Sequence, residues 1–367
     1  MSFPSFDRSS IRFRPLEERK NKVLIPRDLV FPDAEGRALP TEAAGTLREA
    51  ADRIRAARSA GRPVMCAFGA HAIKNGLGPV LIALMTRGWL THLATNGAGI
   101  IHDWEIAFQG KTSEDVRANV ARGEFGIWEE TGRFINLGLL VGAYEGRGYG
   151  QSIGALIANE GLSIPGVEEL RLSAEKLLRE DTERAAAAAD LLGVLKLAGI
   201  GAGFLSMPHP FKQWSVQGAA FGLDIPFTGH PSVGHDIIYT HPWNSGAAVG
   251  RTGTRDFLIF ASSVSRLDGG VYLSVGSAVM SPMIFEKALS MAQNVALQRG
   301  EPIRNHYILV VDIAKAPWDW ARDGEPPADN PAYYMRSSKT FARMGGTMRS
   351  LTADNRDFFL ALLHELG

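Results

Sequence analysis

Residue types able to handle protons, amines or phosphates fall into a few short stretches of the 367-residue chain. In HLATNGAGIIHDWEIAF (92–108) an apolar run ends in Asn96-Gly97-Ala98-Gly99, and His102, Asp103 and Glu105 follow at once. Glycines let a backbone approach a bulky ligand, and the free N–H groups of a helix start suit a phosphate. The spacing is not GxGxxG, so a nucleotide turn and a tight structural turn are both open readings. GHPSVGHDIIYTHP brings His230, His235 and His241 together in sequence, with Asp236 as a helix-start carboxylate. Neutral imidazoles ligate zinc, iron or copper, but no HExxH or other strong metal spacing occurs. His102 and His235 suit proton transfer, because histidine titrates at about 6.5. Lys339, in MRSSKTFARMGG, is able to form an imine with a carbonyl or iminium carbon if desolvated. Its alternative is an ordinary surface lysine.

These residues need elements to hold them. TEAAGTLREAADRIRAARSAG predicts a helix with Thr41 at its start and Gly61 at its end. RPVMCAFGA and WLTHLATNGAG predict buried strands; HAIKNGLGPVLIALMTRG between them predicts a loop and helix, and HDWEIAF begins another helix. VEELRLSAEKLLREDTERAAAAADLLGVLKLAG reads as one long helix. Further strands are expected at IPFTGH, RDFLIFASSV, GGVYLSV and NHYILVVDIAK, and the chain closes with MRSLTADN and the helix RDFFLALLHEL. Strands alternating with helices, with near-continuous apolar strands, imply a parallel sheet covered on both faces. The fold class is therefore α/β, a three-layer α/β/α domain over 41–367 preceded by an irregular arm (1–40) that lies on a neighbouring subunit. In such a sheet ligands bind beyond the carboxyl ends of the strands.

Composition excludes several classes. Lys+Arg and Asp+Glu balance at 39 each, so nothing points to nucleic acid. No apolar run reaches the ~20 residues of a membrane span, and no secretory signal is visible. The single cysteine, Cys66, excludes an intrachain disulfide framework and reads as a small buried hydrophobe; cytoplasm is the expected compartment.

Several stretches, in this order, resemble the deoxyhypusine synthase family: FGAHAIKNGLGPVLIALMTRGWLTHLATNGAGIIHDWEIAF, IPFTGHPSVGHDI, DGGVYLSVGSAVM, YILVVDIAKAPWDW and SLTADNRDFFLALL. Each motif is weak; their shared order spans roughly residues 60–365. The resemblance implies a Rossmann-like fold, a homodimer or homotetramer, and NAD as cofactor. It implies oxidation of an amine or polyamine to an imine, capture by a lysine, and transfer to an acceptor amine. Carried over by position, His71, Asn96, Gly97, Ala98, Gly269, Gly270, Asp354 and Asn355 would contact the dinucleotide, with 95–99 and 269–270 meeting at one rim of the sheet. Lys339 would be the covalent nucleophile, and His235 or His102 the acid/base. Where the family carries two acids in a Thr-Asp-Gly-Ser-Leu-Gly-Asp segment, this chain has His230 and His235. Asp236, Asp319 and Asp329 are the carboxylates left to meet a cationic substrate. Two other readings stand beside this one: a nucleotide-binding module without amine transfer, and a metal-dependent hydrolase using the histidines.

Overall fold

The runs VMCAF, HLATN, VYLSV and YILVVD each alternate their side chains between two apolar layers, and this sets the architecture. The computed structural model describes residues 3–315 and 318–367. Ala316 and Pro317, of the expected Pro-rich loop, lie outside the described residues. Strands are β1 Asn21–Leu24, β2 Val64–Phe68, β3 His92–Asn96, β4 Lys111–Glu114, β5 Gly161–Ile164, β6 Gly203–Ser206, β7 Phe227–His230, β8 Val271–Val275, β9 Tyr307–Asp312 and β10 Thr347–Thr352. Helices are α1 Thr41–Ser59, α2 His71–Lys74, α3 Gly78–Thr86, α4 Gly97–Gln109, α5 Val116–Ala121, α6 Glu129–Glu145, α7 Tyr149–Asn159 and α8 Val167–Leu177. They continue as α9 Thr182–Ala198, α10 Val216–Gly222, α11 Gly246–Val264, α12 Met280–Gln298, α13 Trp320–Asp323, α14 Arg336–Ala342 and α15 Asn355–Leu366.

The central sheet runs β10-β9-β8-β2-β3-β7, with every pair parallel. Counted within the sheet, that order is 3-2-1-4-5-6 from the β7 edge, the doubly wound arrangement whose direction reverses between β2 and β8. Cys66 and Phe68 face one layer, with α1, α3, α4 and α15; Met65 and Ala67 face the other, with α12, α14 and the end of α11. Cys66 is fully buried, and burial pushes its thiol well above the usual range, in keeping with a small core hydrophobe.

Two expectations are corrected. RDFLIFASSV is not a strand but the end of α11. Its buried residues Thr252, Asp256, Phe260 and Val264 recur at helical spacing that began upstream at Ala248. The expected long helix is two, α8 and α9, because Asp181 accepts from the Arg184 N–H and starts a new helix. The arm packs on its own chain over part of its length: β1 pairs antiparallel with β4, and Arg14 exchanges backbone hydrogen bonds with Ile127 and Glu129.

Burial of histidines gives the fold an acid limit. His92 and His230 are pushed down to about 3, and His102, His209 and His241 to about 4, each chiefly by desolvation. The unfolded chain takes up these protons below pH ~6.5 while the folded chain does not, so stability falls on acidification, by up to about 1.4 kcal/mol per pH unit per histidine. Asp103, Asp236 and Asp256, raised by burial to about 6, 6 and 7, oppose this over part of the same window. Five groups outweigh three, so the urea midpoint is expected to drop between pH 7 and 5. A flat or rising midpoint would contradict the assignment of these histidines as buried and neutral.

Candidate functional site

Asn96 ends β3 and caps α4: its side chain accepts from the Gly99 N–H at 2.9 Å. Gly97 and Gly99 are therefore the first turn of the helix, not a loop ahead of it. A Cβ on Gly99 would meet Thr95 Oγ1 at 2.2 Å, so that glycine serves the packing of its own strand. A Cβ on Gly97 would meet Asp236 Oδ2 at 2.0 Å and Cγ at 2.4 Å. The space the sequence reading gave to a dinucleotide at Gly97 is filled by the Asp236 carboxyl, delivered from the turn after β7. Asn96, Gly97 and the bend around them thus form a helix cap and an aspartate seat.

Asp236 opens on a cavity of about 190 Å³ that also takes lining from Ala98, His102 and His235. Four residues singled out from the sequence therefore meet at one place. Burial raises the Asp236 carboxyl to about 6, partly countered by His235, and its Oδ2 is buried without a hydrogen-bond partner. His235 itself is exposed.

The opposite wall comes from the arm and from β4. Arg19 and Glu105 form a buried bidentate pair, Nη1 to Oε1 and Nη2 to Oε2, both at 2.7 Å. Thr112 Oγ1 donates to Oε2 at 2.6 Å and Thr131 Oγ1 to Oε1 at 3.0 Å, filling the four acceptor positions of the carboxylate. Burial pushes Glu105 up, but the Arg19 charge and these hydrogen bonds outweigh it and hold the group below its usual value. The Thr112 proton is committed to Glu105, so its oxygen accepts from His102 Nδ1, 2.7 Å away. His102 is thereby fixed as the Nδ1–H tautomer with a bare Nε2. Burial, opposed by Glu105 and assisted by Lys74, Arg19 and His71, lowers it to about 4, so it is neutral at physiological pH. Beside Thr112, Ser113 lines the same cavity with φ of 68°, a left-handed conformation rarely adopted by a residue with a side chain. Such strain collects at binding sites, where the surroundings over-determine it.

Lys74, at the end of α2, lines this cavity and also a wider groove of about 730 Å³. Asp354 lines that groove and caps α15, accepting from the Arg356 N–H at 2.8 Å; Asn355 accepts from Asn75 Nδ2 at 2.8 Å. The late TADN turn thus does reach the turn after β2. His71 is exposed at the start of α2.

Other candidates lie elsewhere. Gly269 and Gly270 precede β8 at its amino end, whereas Gly97 follows the carboxyl end of β3. With five-residue parallel strands between them, they sit on opposite rims of the sheet, about 16 Å apart along the strand direction. The turn after β8 at the shared rim is Gly276-Ser277-Ala278, which the sequence reading passed over. Lys339 is on α14, whose neighbours Phe341 and Met335 pack on the sheet face opposite α4; its Nζ stands 3.1 Å from the centre of the Tyr333 ring. Asp319 lies beyond β9 in another groove, and Asp329 is exposed in the same loop region, so neither joins His102. The three histidines of the GHPSVGHDIIYTHP stretch diverge. His230 is buried against Thr228 at 2.9 Å, His241 packs edge-on against Phe13, and His235 faces outward. Among the described residues no group of three histidine, cysteine or acidic side chains is placed to hold a metal, which removes the basis for the hydrolase reading. No described helix is long and apolar enough to cross a membrane.

Arg19, Thr112 and Lys74 were missed. Lys74 stood in the quoted HAIKNG turn, three residues after His71. Arg19 and Thr112 carry no local signal, being joined to His102 only by the fold.

Comparison with known proteins adds little. No family model matches the chain, and no curated protein does. Among solved structures, a conserved protein described as LOR/SDH, from Methanococcus maripaludis S2, is 12% identical, with 92% of this chain and 73% of that one covered and a TM-score of 0.43. The arginine dihydrolase ArgZ of the cyanobacterial ornithine–ammonia cycle is 13% identical over 89% of this chain, with a TM-score of 0.41. AgrE in complex with ornithine and NAD+ is 15% identical over 89% of this chain, with a TM-score of 0.42. The chain spans about a third of the length of ArgZ and AgrE, 32% and 34%. Likeness of this depth assigns neither ligand nor reaction.

The tautomer follows from hydrogen bonds alone and is directly measurable. Nitrogen-15 NMR of the folded protein at pH 7 is expected to show His102 Nδ1 protonated and Nε2 bare. Thr112→Val, which removes the acceptor, is expected to move His102 toward the Nε2–H form, while Thr112→Ser keeps the wild-type pattern. A wild-type Nε2–H signal would break the Glu105–Thr112–His102 chain.

Proposed function

We propose that this chain is an NAD-dependent enzyme that oxidises an amine, with the reacting nitrogen held between Asp236 and His102. The observation that carries the reading is the Asp236 carboxyl, which is seated on Gly97, has a buried oxygen without a hydrogen-bond partner, and lines the cavity that His102 also lines. A buried carboxyl without a counter-charge is costly, and a cationic amine is the group that relieves it.

The cofactor part rests on the strand order and on the crevice at its reversal. Gly69 and Gly276 approach so closely that a Cβ on Gly69 would lie 2.2 Å from the Gly276 carbonyl oxygen. Gly276 has φ of 56° with open space around it, and Ala278 and Val279 after it are exposed ahead of the 19-residue α12. Two turns nearly free of side-chain bulk, with a helix start behind one of them, fit a pyrophosphate. NAD, when bound, supplies a hydride acceptor. The chain's own residues do the rest: Asp236 holds the ammonium, and the bare His102 Nε2 takes a proton from the nitrogen. Thr112 and Glu105 keep that ring turned correctly.

The finer reading, a deoxyhypusine synthase-like transfer of an aminobutyl-type group through a lysine, rests on the sequence resemblance. It requires Lys339 to reach a cavity that, within one chain, lies across the sheet from it.

Wild-type protein is expected to bind NAD+ in a calorimetric titration. His102→Gln and Asp236→Asn are expected to keep that affinity within about twofold while losing amine-dependent NADH formation by roughly 10²-fold or more. No NAD+ binding, or unchanged turnover in both variants, would overturn the proposal. For the finer reading, borohydride added during turnover is expected to leave an adduct on Lys339 by mass spectrometry. No adduct, with full activity in Lys339→Ala, would remove lysine capture.

A further inference from the structure

The charges that line the Asp236 cavity cancel unevenly. Arg19 and Glu105 neutralise one another at 2.7 Å. Glu114 is occupied: it accepts from Trp128 Nε1 and the Gly126 N–H, each at 3.1 Å, and from Asn119 Nδ2. Glu114 has no ion pair among the described residues and is held by neutral donors alone, yet its oxygens are taken; two other charged groups keep positions free for a ligand. The Asp236 Oδ2 has no partner, and the half-buried Lys74 ammonium has no ion pair among the described residues. They come from different elements, α2 and the turn after β7, and do not pair with each other. Toward a ligand the cavity therefore offers one cation and one carboxylate that are not already hydrogen-bonded, with the bare His102 nitrogen as an acceptor alongside.

We infer that the site takes a zwitterionic α-amino acid rather than a polyamine. The ligand's carboxylate meets Lys74, its ammonium meets Asp236, and His102 Nε2 accepts one of the ammonium hydrogens. This deepens the proposed amine reading and rests on Asp236 as the amine anchor. A polyamine would set a cation beside Lys74 with no carboxylate to screen it, which is unfavourable at short range in a partly dry cavity. Size agrees. About 190 Å³ suits a small polar molecule, and the groove of about 730 Å³, which shares Lys74, has room for a side chain leading away. That groove is lined by charges of both signs, among them Arg37, Arg356 and Asp357.

The test is binding without NAD, so it is independent of turnover. The full chain is screened by thermal shift against the twenty amino acids, and each hit is titrated beside its decarboxylated amine and its deaminated acid. At least one amino acid is expected to bind ten times or more tightly than both of its analogues. Lys74→Met is expected to lower the amino acid's affinity about tenfold and leave the amine unchanged, and Lys74→Arg to restore it. Asp236→Asn is expected to weaken the amino acid and spare the deaminated acid. No hit, an amine binding as tightly as its parent amino acid, or an unchanged affinity in Lys74→Met would overturn the inference. Amino acid binding with no oxidation in the presence of NAD+ would leave the inference standing and overturn the proposed activity instead.

Discussion

The Arg19–Glu105 pair decides how protons are arranged across the site. Its two parallel hydrogen bonds ionise Glu105 in a fully buried position, and an ionised carboxylate only accepts. From that single fact the Thr112 hydroxyl must point its proton at Glu105, His102 must carry its own proton on Nδ1, and Nε2 must stand bare toward the cavity. Breaking such a pair leaves an isolated buried charge, a cost of about 3–5 kcal/mol. The arm that brings Arg19 into place is therefore part of the site. Its pairing as β1 against β4 also sets Thr112 and Ser113 on the cavity wall.

A second constraint works by absence. Gly97 has no side chain, so Asp236 lies flat against the start of α4. Any other residue there would evict the carboxyl, while Gly99 is reserved for Thr95. Two glycines two residues apart thus have different duties, each set by the side chain packed against it. Gly276, which follows β8, is by contrast free on its open side.

Much of the architecture was legible because strand periodicity and caps are local. VMCAF and YILVVD read as buried parallel strands, and their turns read as the ligand rim. RDFLIFASSV misled because ten residues of an amphipathic helix can hold a continuous apolar stretch, and the deciding period lay upstream at Ala248 and Thr252. Of the cavity-lining residues, Ala98, His102, His235 and Asp236 had been singled out, since each lies in or just past a polar stretch that follows a strand. Gly269 and Gly270 were misplaced because a glycine pair looks the same at either end of a strand; only the direction of β8 separates them. Arg19 was invisible, being 86 positions from Glu105 with nothing in its surroundings to mark it.

The geometry of the rim joins the two halves of the proposed chemistry. Neighbouring strands lie about 4.8 Å apart, so the β2–β8 crevice is about two strand spacings, roughly 10 Å, from the β3–β7 ends that hold Asp236. A dinucleotide with its pyrophosphate at the crevice would have to lay its nicotinamide half across β2 to meet a substrate there, since reacting atoms must approach within about 3–3.5 Å. The turn it would cross, Gly69-Ala70, has no side chain larger than a methyl group. The bulkier candidates Lys339 and Asp319 lie away from that path, on the other face of the sheet and beyond β9. The rim thus carries little side-chain bulk at Gly69-Ala70, ahead of the exposed His71, and gathers His102, His235 and Asp236 at the β3–β7 ends.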